Sequence, residues 1–371
     1  MLRRVYIKDF RSFHELEFEP YEGFTLLCGP NGSGKSNLLE AIYYLGTGDS
    51  YRHVTDDNLV RWEAECFVLK GEVRQGARSE FTKTIEWVYR KEPRRKIYRV
   101  NGKLQLPGKG SWHLPVVVFS PQDLLIVQGQ PALRRRFVDA LAAQVWPHHA
   151  EDLICYRGVL AQRNSLLKRG EFSEDQMQPW DDQLVAVGAR IMRRRLSVLA
   201  GLSGGCRDAF LTLGGSGELS IAYFSGSDVV SGEGLEADEE TCRGILMRAL
   251  EMSRSLEERL RFTVVGPHRH DVRFIVNGRD ARLFSSQGEQ RLIALSLKIA
   301  QSRLLTEEGR LEPLLLLDDV FSELDERRRA LVLGFCRSFR QVIAAVTEHS
   351  GDFVEKRAVT ESISSIFVKS L

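Results

Sequence analysis

The amino-acid sequence predicts an α/β fold in which a mixed sheet with an antiparallel β-subdomain is assembled from both ends of the chain around a mostly helical insertion. Three observations predict it. A short apolar run, Phe24 to Cys28, ends in a glycine-rich turn, and a helical pattern follows. Near the other end, Leu314-Leu315-Leu316-Leu317 reads as a strand buried on both faces, as parallel sheets require. Between them, from about Pro131 to Arg261, long helical periods replace the short β-like runs. The expected division is residues 1–130, 131–261 and 262–371, with the first and last forming one domain.

Each element follows from its local pattern. Arg3 to Lys8 and Phe13 to Phe18 alternate as strands do. Leu38, Leu39, Ile42 and Leu45 fall on one face of a helix. Antiparallel strands are expected from about Cys66 to Val100. Asn101-Gly102 and Asn277-Gly278 sit between β-like runs and supply the positive φ of a type I′ hairpin turn. The buried run Leu114 to Phe119 breaks at Ser120-Pro121. Helices are expected over Ala132 to Val145, Asp152 to Lys168, Trp180 to Phe210 and Glu239 to Leu260. A Gly/Ser-rich stretch from Gly201 to Gly234 is expected to interrupt them, with one strand at Leu219 to Phe224. No heptad run is long enough for an extended coiled coil.

Composition narrows the class. With 371 residues and 43% hydrophobic content the chain can bury a sizeable core, so a disordered protein is excluded. The net charge of +2 is too small for bulk attraction to nucleic acid, which must come from local patches. Candidate patches are Arg94-Arg95-Lys96, Arg134-Arg135-Arg136, Arg193-Arg194-Arg195 and Arg327-Arg328-Arg329. The six cysteines are scattered, with no Cys-x-x-Cys pair, which implies reduced thiols and a cytoplasmic protein. Neither a signal-peptide core nor a membrane-spanning apolar stretch is present, so no membrane partner is expected.

The strongest chemical signal is Gly29-Pro30-Asn31-Gly32-Ser33-Gly34-Lys35-Ser36, which fits the phosphate-loop pattern G-x-x-x-x-G-K-[ST] at every fixed position, between a strand and a helix. Its glycines let backbone N–H groups close around phosphate oxygens, and the helix N-terminus adds partial positive charge. Lys35 is expected to reach the β- and γ-phosphates of ATP, and the Ser36 hydroxyl to sit on Mg²⁺. The second half is Asp318-Asp319, at the C-terminal end of the leucine strand, where such sheets place ligands. Asp318 is expected to hold Mg²⁺ through water, and Asp319 to orient or deprotonate the attacking water.

Two segments compete for a γ-phosphate-binding signature. Leu202-Ser203-Gly204-Gly205-Cys206 looks closer by letters to the usual Leu-Ser-Gly-Gly-Gln, but it lies far upstream, inside the insertion. Ser285-Ser286-Gln287-Gly288 is preferred, because it opens a helix that leads into the acidic strand. Ser286, Gln287 and Gly288 would then serve the nucleotide of a second copy, which implies a homodimer formed on ATP. Ser322-Glu323-Leu324-Asp325 occupies the D-loop position. Gln122, after Ser120-Pro121, is a candidate metal-sensing glutamine, and one of Thr347, Glu348 and His349 is a candidate switch residue.

These motifs together make an ABC-type ATPase head, and several stretches resemble the RecF family within the ABC/SMC-type heads. Lys8-Asp9-Phe10-Arg11-Ser12-Phe13 is similar to the family's N-F-R-N start, and Asn37-Leu38-Leu39-Glu40-Ala41-Ile42 to its N-L-L-E-A-I. Pro131 to Asp139 and Leu317 to Asp325 resemble two further family stretches. Gly266-Pro267-His268-Arg269-His270-Asp271 resembles G-P-H-R-D-D, with His270 in place of the first Asp. The resemblance covers nearly the whole chain and extends the nucleotide site to Arg11 and Asn37. It implies a weak, DNA-stimulated ATPase that binds single- and double-stranded DNA at junctions or gaps. It also implies action with RecR, RecO and RecA in recombinational repair, replication restart and the SOS response. The alternative is an SMC-like structural DNA clamp, which would need the long coiled-coil arms that are missing here. Asp319 is one methylene shorter than the Glu of many such ATPases, which predicts slow turnover.

Overall fold

The computed structural model describes residues 1–74, 81–105, 113–170, 173–226, 229–231, 237–308, 312–346, 360–363 and 366–370. It groups into two compact units, residues 1–123 with 301–371, and residues 124–300.

The first unit begins with strands β1 (Leu2–Phe10), β2 (Phe13–Phe18) and β3 (Gly23–Cys28), then helix α1 (Lys35–Thr47). Strands β4 (Cys66–Arg74), β5 (Thr82–Arg90), β6 (Arg95–Val100), β7 (Lys103–Gln105) and β8 (Val116–Phe119) follow. One sheet runs β2-β1-β4-β5-β6-β7 and is antiparallel throughout. Its last hairpin turns at Asn101-Gly102, with φ of 49° and 76°, the two positive values a type I′ turn needs.

The second unit holds α2 (Leu124–Gln128), α3 (Pro131–Val145), α4 (His148–Arg169) and the 39-residue α5 (Glu174–Thr212). Next come β9 (Leu219–Phe224), β10 (Val229–Ser231), α6 (Glu239–Leu260), β11 (Asp271–Val276), β12 (Arg279–Asp280) and α7 (Ala281–Phe284). Helix α8 (Gln287–Glu308) starts in this unit and ends in the first. By contact, then, residues 262–300 group with the helices rather than with the terminal sheet.

The first unit is completed by β13 (Leu314–Asp318), α9 (Glu326–Cys336), β14 (Gln341–Val346), β15 (Thr360–Ile363) and β16 (Ile366–Ser370). Its second sheet has the order β15-β16-β3-β14-β13-β8, with β3, β14, β13 and β8 parallel and β16 antiparallel to β3. The four leucines of β13 are all buried, as their unbroken apolar run requires.

Helix α1 is the keystone of this unit. Leu38, Leu39, Ala41, Ile42, Tyr44 and Leu45 are buried in one core with Val5, Ile7, Phe67 and Trp87 of the antiparallel sheet and Val116, Leu316 and Ile343 of the parallel one. Each fully buried large apolar side chain here stabilises the fold by about 1.5–3 kcal/mol relative to exposure. The helix approaches β8 so closely that a Cβ at Gly46 would lie 2.5 Å from the Leu114 carbonyl oxygen. Gln341 of β14 joins the two sheets: its Oε1 accepts from the Leu2 N–H and its Nε2 donates to the Leu2 carbonyl, both at 2.8 Å.

Helix α5 runs through Gly201, Gly204 and Gly205 to Thr212, close to the expected end at Phe210, so the Gly/Ser-rich stretch interrupts the helices only after it. Three glycines cost helix stability, at roughly 1 kcal/mol each relative to Ala. Against that cost Leu199, Leu202, Cys206, Ala209 and Phe210 keep the helical period and are all buried. At the start of α5, Ser173 and Gln176 form a reciprocal capping box, and at the start of α6 the Asp238 carboxylate accepts the Thr241 N–H at 2.7 Å. Asn277-Gly278 turns β11 into β12 with φ of 49° and 76°, matching the other hairpin.

The second unit buries a set of paired polar side chains beside its apolar core. Arg195 pairs bidentately with Asp139 at 2.8 Å, and His149 Nε2 meets the same carboxylate at 2.8 Å. Arg134 pairs bidentately with Asp271. The Tyr156 hydroxyl is 2.8 Å from His268 Nδ1, and the Tyr223 hydroxyl is 2.7 Å from His270 Nδ1. Burial pushes the His268 imidazole from 6.5 down to about 4 and His270 well below its ordinary value, so both stay neutral in the fold. The unfolded chain therefore binds more protons below pH 6.5. Stability should be intact above that pH and fall as pH drops toward 4, with a slope of at most ~1.4 kcal/mol per pH unit for each histidine. Urea midpoints at pH 7 and pH 5 should differ, and His268→Gln should narrow the gap; equal midpoints in the parent would refute the assignment.

Candidate nucleotide-binding site

The site of the first unit is built at the C-terminal ends of β3 and β13. Strand β3 delivers the glycine-rich loop, in which Gly32 (φ 81°) and Gly34 (φ 100°) adopt left-handed conformations that favour glycine. A Cβ at Gly34 would also approach the Phe13 ring at 3.1 Å. No side chain caps α1 and its first turn carries no acid, so its N-terminal N–H groups point at the loop without local competition for an anion. Lys35 Nζ folds back onto the loop, donating to the Gly29 carbonyl at 2.7 Å and the Pro30 carbonyl at 2.8 Å.

Strand β13 delivers the acids. Ser36 Oγ donates to Asp318 Oδ1 at 2.6 Å across 282 positions of sequence. The other Asp318 oxygen accepts from the Tyr51 hydroxyl at 2.7 Å. Asp319 caps the strand in the left-handed region, φ 53° and ψ 30°, and its N–H donates to the Ala345 carbonyl at 3.3 Å. An open cleft of about 300 Å³ is lined by loop residues 31 to 37, Arg52, Asp318, Asp319, Ala345 and Val346. Hydroxyl beside carboxylate is a hard-oxygen donor pair of the kind Mg²⁺ takes, with the remaining positions left to water and phosphate.

Asn31, Gly32, Ser33, Gly34, Lys35, Ser36, Asn37, Asp318 and Asp319 thus meet in one cleft. Gly29 and Pro30 form the base of the same loop through their contacts with Lys35. Arg11 and Gln122 do not line it. The Arg11 guanidinium grips the buried Glu40 carboxylate bidentately, at 2.9 and 3.0 Å, and reaches the Asn58 carbonyl. Gln122 lies in a single 3₁₀ turn, Pro121–Asp123. Thr347, Glu348 and His349 lie outside the described residues.

Arg52 and Tyr51 carry no motif and were missed by sequence reasoning. They follow the α1 C-cap at Gly48, and only the fold returns them to the loop. Arg52 Nη1 donates to Asn37 Oδ1 at 3.1 Å, stands 3.6 Å from Glu40, and its Nη2 is 4.0 Å from Asp318. Glu40, fully buried one turn after Ser36, therefore anchors both arginines and the Ser50 hydroxyl. A fully buried acid on a helix otherwise reading as apolar was the available signal.

In the second unit, Ser286, Gln287 and Gly288 stand exposed at the start of α8. The Ser286 Oγ accepts the Glu289 N–H at 3.2 Å. Buried Gln290 fixes the turn before it, donating to the Ala281 and Arg282 carbonyls and accepting from Gln128. The competing letters, Leu202 to Cys206, lie in mid-helix, where peptide N–H groups are already bonded within α5. His270 holds no acidic role: it is a neutral imidazole packed on Tyr223, and Asp271 supplies the charge that pairs with Arg134. The basic triplets are also largely consumed within the fold. Arg134 and Arg195 are buried in ion pairs, Arg135 donates to the His270 carbonyl, and Arg194 pairs with Asp152.

The chain is similar to known proteins along nearly its whole length. The family model described as "RecF/RecN/SMC N terminal domain" matches residues 1–368. A curated relative from Desulfitobacterium hafniense, "DNA replication and repair protein RecF", is 36% identical over 366 residues, covering 96% of this chain and 95% of the relative. One of the same description from Symbiobacterium thermophilum is 39% identical over 350 residues, 94% of this chain and 91% of its own. Among solved structures, "the recombination mediator protein RecF-ATP in RecFOR pathway" superposes with a TM-score of 0.88 at 34% identity, covering 100% of this chain and 97% of that one. An Smc head domain from Pyrococcus yayanosii shares the fold at a TM-score of 0.52 and 13% identity.

Proposed function

This chain belongs to the RecF family of the RecF/RecN/SMC proteins, and on that premise we propose that it is an ATP-dependent DNA-binding protein of recombinational gap repair and replication restart. The observation that carries the proposal is the pairing of Ser36 with Asp318 at the mouth of the glycine loop, beside Lys35 and Asp319. The loop amides and α1 would hold the ATP phosphates, and Lys35 would leave its two carbonyls to reach the β- and γ-phosphates. Ser36 and Asp318 would hold Mg²⁺, which supplies charge neutralisation across those phosphates. Asp319 would orient or deprotonate the water that attacks the γ-phosphate. Slow hydrolysis then makes ATP a switch rather than a fuel.

The exposed Ser286-Gln287-Gly288 start of α8 has the free surface needed to meet the nucleotide of a second copy, so ATP assembles a homodimer. DNA binding follows dimerisation, because the arginine clusters within each unit are mostly paired internally and only a face shared by two heads would track phosphates. RecR is the direct partner in this proposal, with RecO and RecA acting in the same pathway at single-strand/double-strand junctions, and DNA stimulates a weak ATPase. No helix among the described residues is long and apolar enough to cross a membrane, and none of the six cysteines is joined in a disulfide; a cytoplasmic location fits that chemistry.

Solution mass with ATP and Mg²⁺ tests the core of this. The parent should shift from monomer to dimer, while Lys35→Met and Ser286→Arg should remain monomeric even at saturating nucleotide. If Ser286→Arg dimerises like the parent, α8 does not face the second nucleotide.

A further inference from the structure

We propose that Tyr51 is a positioning residue for the metal-binding carboxylate Asp318, holding it with a neutral hydroxyl so that its charge stays available to the divalent ion of the bound nucleotide. This rests on the nucleotide-site assignment above.

Asp318 has two oxygens with different neighbours. Oδ1 accepts from Ser36 Oγ at 2.6 Å, at the cleft. Oδ2 accepts from the Tyr51 hydroxyl at 2.7 Å, and Arg52 Nη2 stands back at 4.0 Å. The Tyr51 hydroxyl has a second acceptor in reach, the Ser36 carbonyl at 3.3 Å, but the carboxylate is closer and charged. Tyr51 is 6% exposed, and its ring packs edge-on against Tyr43 with centroids 5.6 Å apart. A phenol is un-ionised near neutral pH, so toward a carboxylate it acts as a donor.

The terminal torsion of an aspartate is soft, so an unheld carboxylate swings. With the Tyr51 hydroxyl removed, Oδ2 would be free to turn toward the Arg52 guanidinium. Salt-bridged to Arg52, Asp318 would present less negative charge to a cation at Ser36. The phenol thus fixes the direction of the carboxylate without neutralising it, whereas a guanidinium in its place would do the opposite. Removing a hydrogen-bond partner of a metal-holding group costs about 10- to 100-fold in metal affinity or activity.

Tyr51→Phe removes one oxygen and keeps the ring, so packing against Tyr43 is preserved. The test is Mn²⁺ affinity of the ATP-loaded protein, followed by electron paramagnetic resonance, beside ATP affinity measured in EDTA. The expected result is Mn²⁺ affinity lowered about 10-fold with metal-free ATP affinity unchanged, and a matching rise in the Mg²⁺ needed for half-maximal hydrolysis. Mn²⁺ affinity equal to that of the parent would overturn the proposal, as would a loss of metal-free ATP affinity, which marks a general structural role. If the parent itself took up neither ATP nor Mn²⁺, the nucleotide-site assignment would fail instead.

Discussion

Asp319→Asn should leave ATP binding at the parent level, slow hydrolysis by ~10²- to 10⁴-fold, the usual contribution of a positioned general base, and leave the protein dimeric long after ATP is added. The backbone explains why the exchange isolates chemistry. Asp319 sits at φ 53°, a left-handed conformation that Asp and Asn tolerate better than other side chains. Asn keeps that conformation, nearly the same side-chain volume and the N–H donated to Ala345, and loses the negative charge and with it the ability to take a proton. The same geometry gives a physical reason for Asp where many related ATPases use Glu: the strand ends in a turn that costs a longer side chain more. The price of that short acid is reach, which is why turnover is expected to be slow in the parent as well. Single-turnover hydrolysis and solution mass, read together, decide the matter. A variant that hydrolyses ATP at the parent rate removes Asp319 from the chemistry, and one that fails to bind ATP gives it a role in the ground state.

The parts legible in the sequence were those in which local pattern and tertiary demand coincide. The leucine run Leu314–Leu317 read as a doubly covered strand and is one, and the glycine loop read as the link from strand β3 to α1, where the structure places it. Both Asn-Gly hairpins followed from the positive φ they supply. Where local signals competed, packing decided: the helical period expected to Phe210 overlaps the start of the Gly/Ser-rich stretch at Gly201, and the buried face of α5 carries the helix through Gly201, Gly204 and Gly205. What was invisible was long-range. Tyr51 sits 267 positions from Asp318, and nothing in Ser50-Tyr51-Arg52 announces a contact with the acidic strand. Arginine triplets misled for the same reason. A run of three looks like a surface charge patch, but successive helical residues point about 100° apart, so Arg134 in α3 and Arg195 in α5 face inward and pair with carboxylates, and Arg194 pairs with a third.

Arg195→Met should destabilise the second unit by ~3–5 kcal/mol, the usual cost of breaking a buried ion pair from one side. Its guanidinium is 4% exposed and bonds both oxygens of Asp139, while Nη1 donates to the Pro267 carbonyl at 2.6 Å. Burial on its own would raise the Asp139 carboxyl, but Arg195 and His149 hold it down at about 2. That lowered value means the pair contributes its stability fully above about pH 4 and loses it as pH falls toward 2. Without Arg195, the Asp139 carboxylate keeps His149 as its hydrogen-bond partner, and the Pro267 carbonyl loses its donor. Asp139→Asn in the same chain removes the stranded charge, so the double variant should be more stable than Arg195→Met alone. Urea midpoints of the parent, both single variants and the double measure that coupling. A phosphate-binding role for the triplet makes opposite demands: stability untouched, DNA affinity reduced, and a shallower dependence of that affinity on salt. A parent-like urea midpoint for Arg195→Met, with the salt slope reduced, would return Arg193-Arg194-Arg195 to the DNA-binding face.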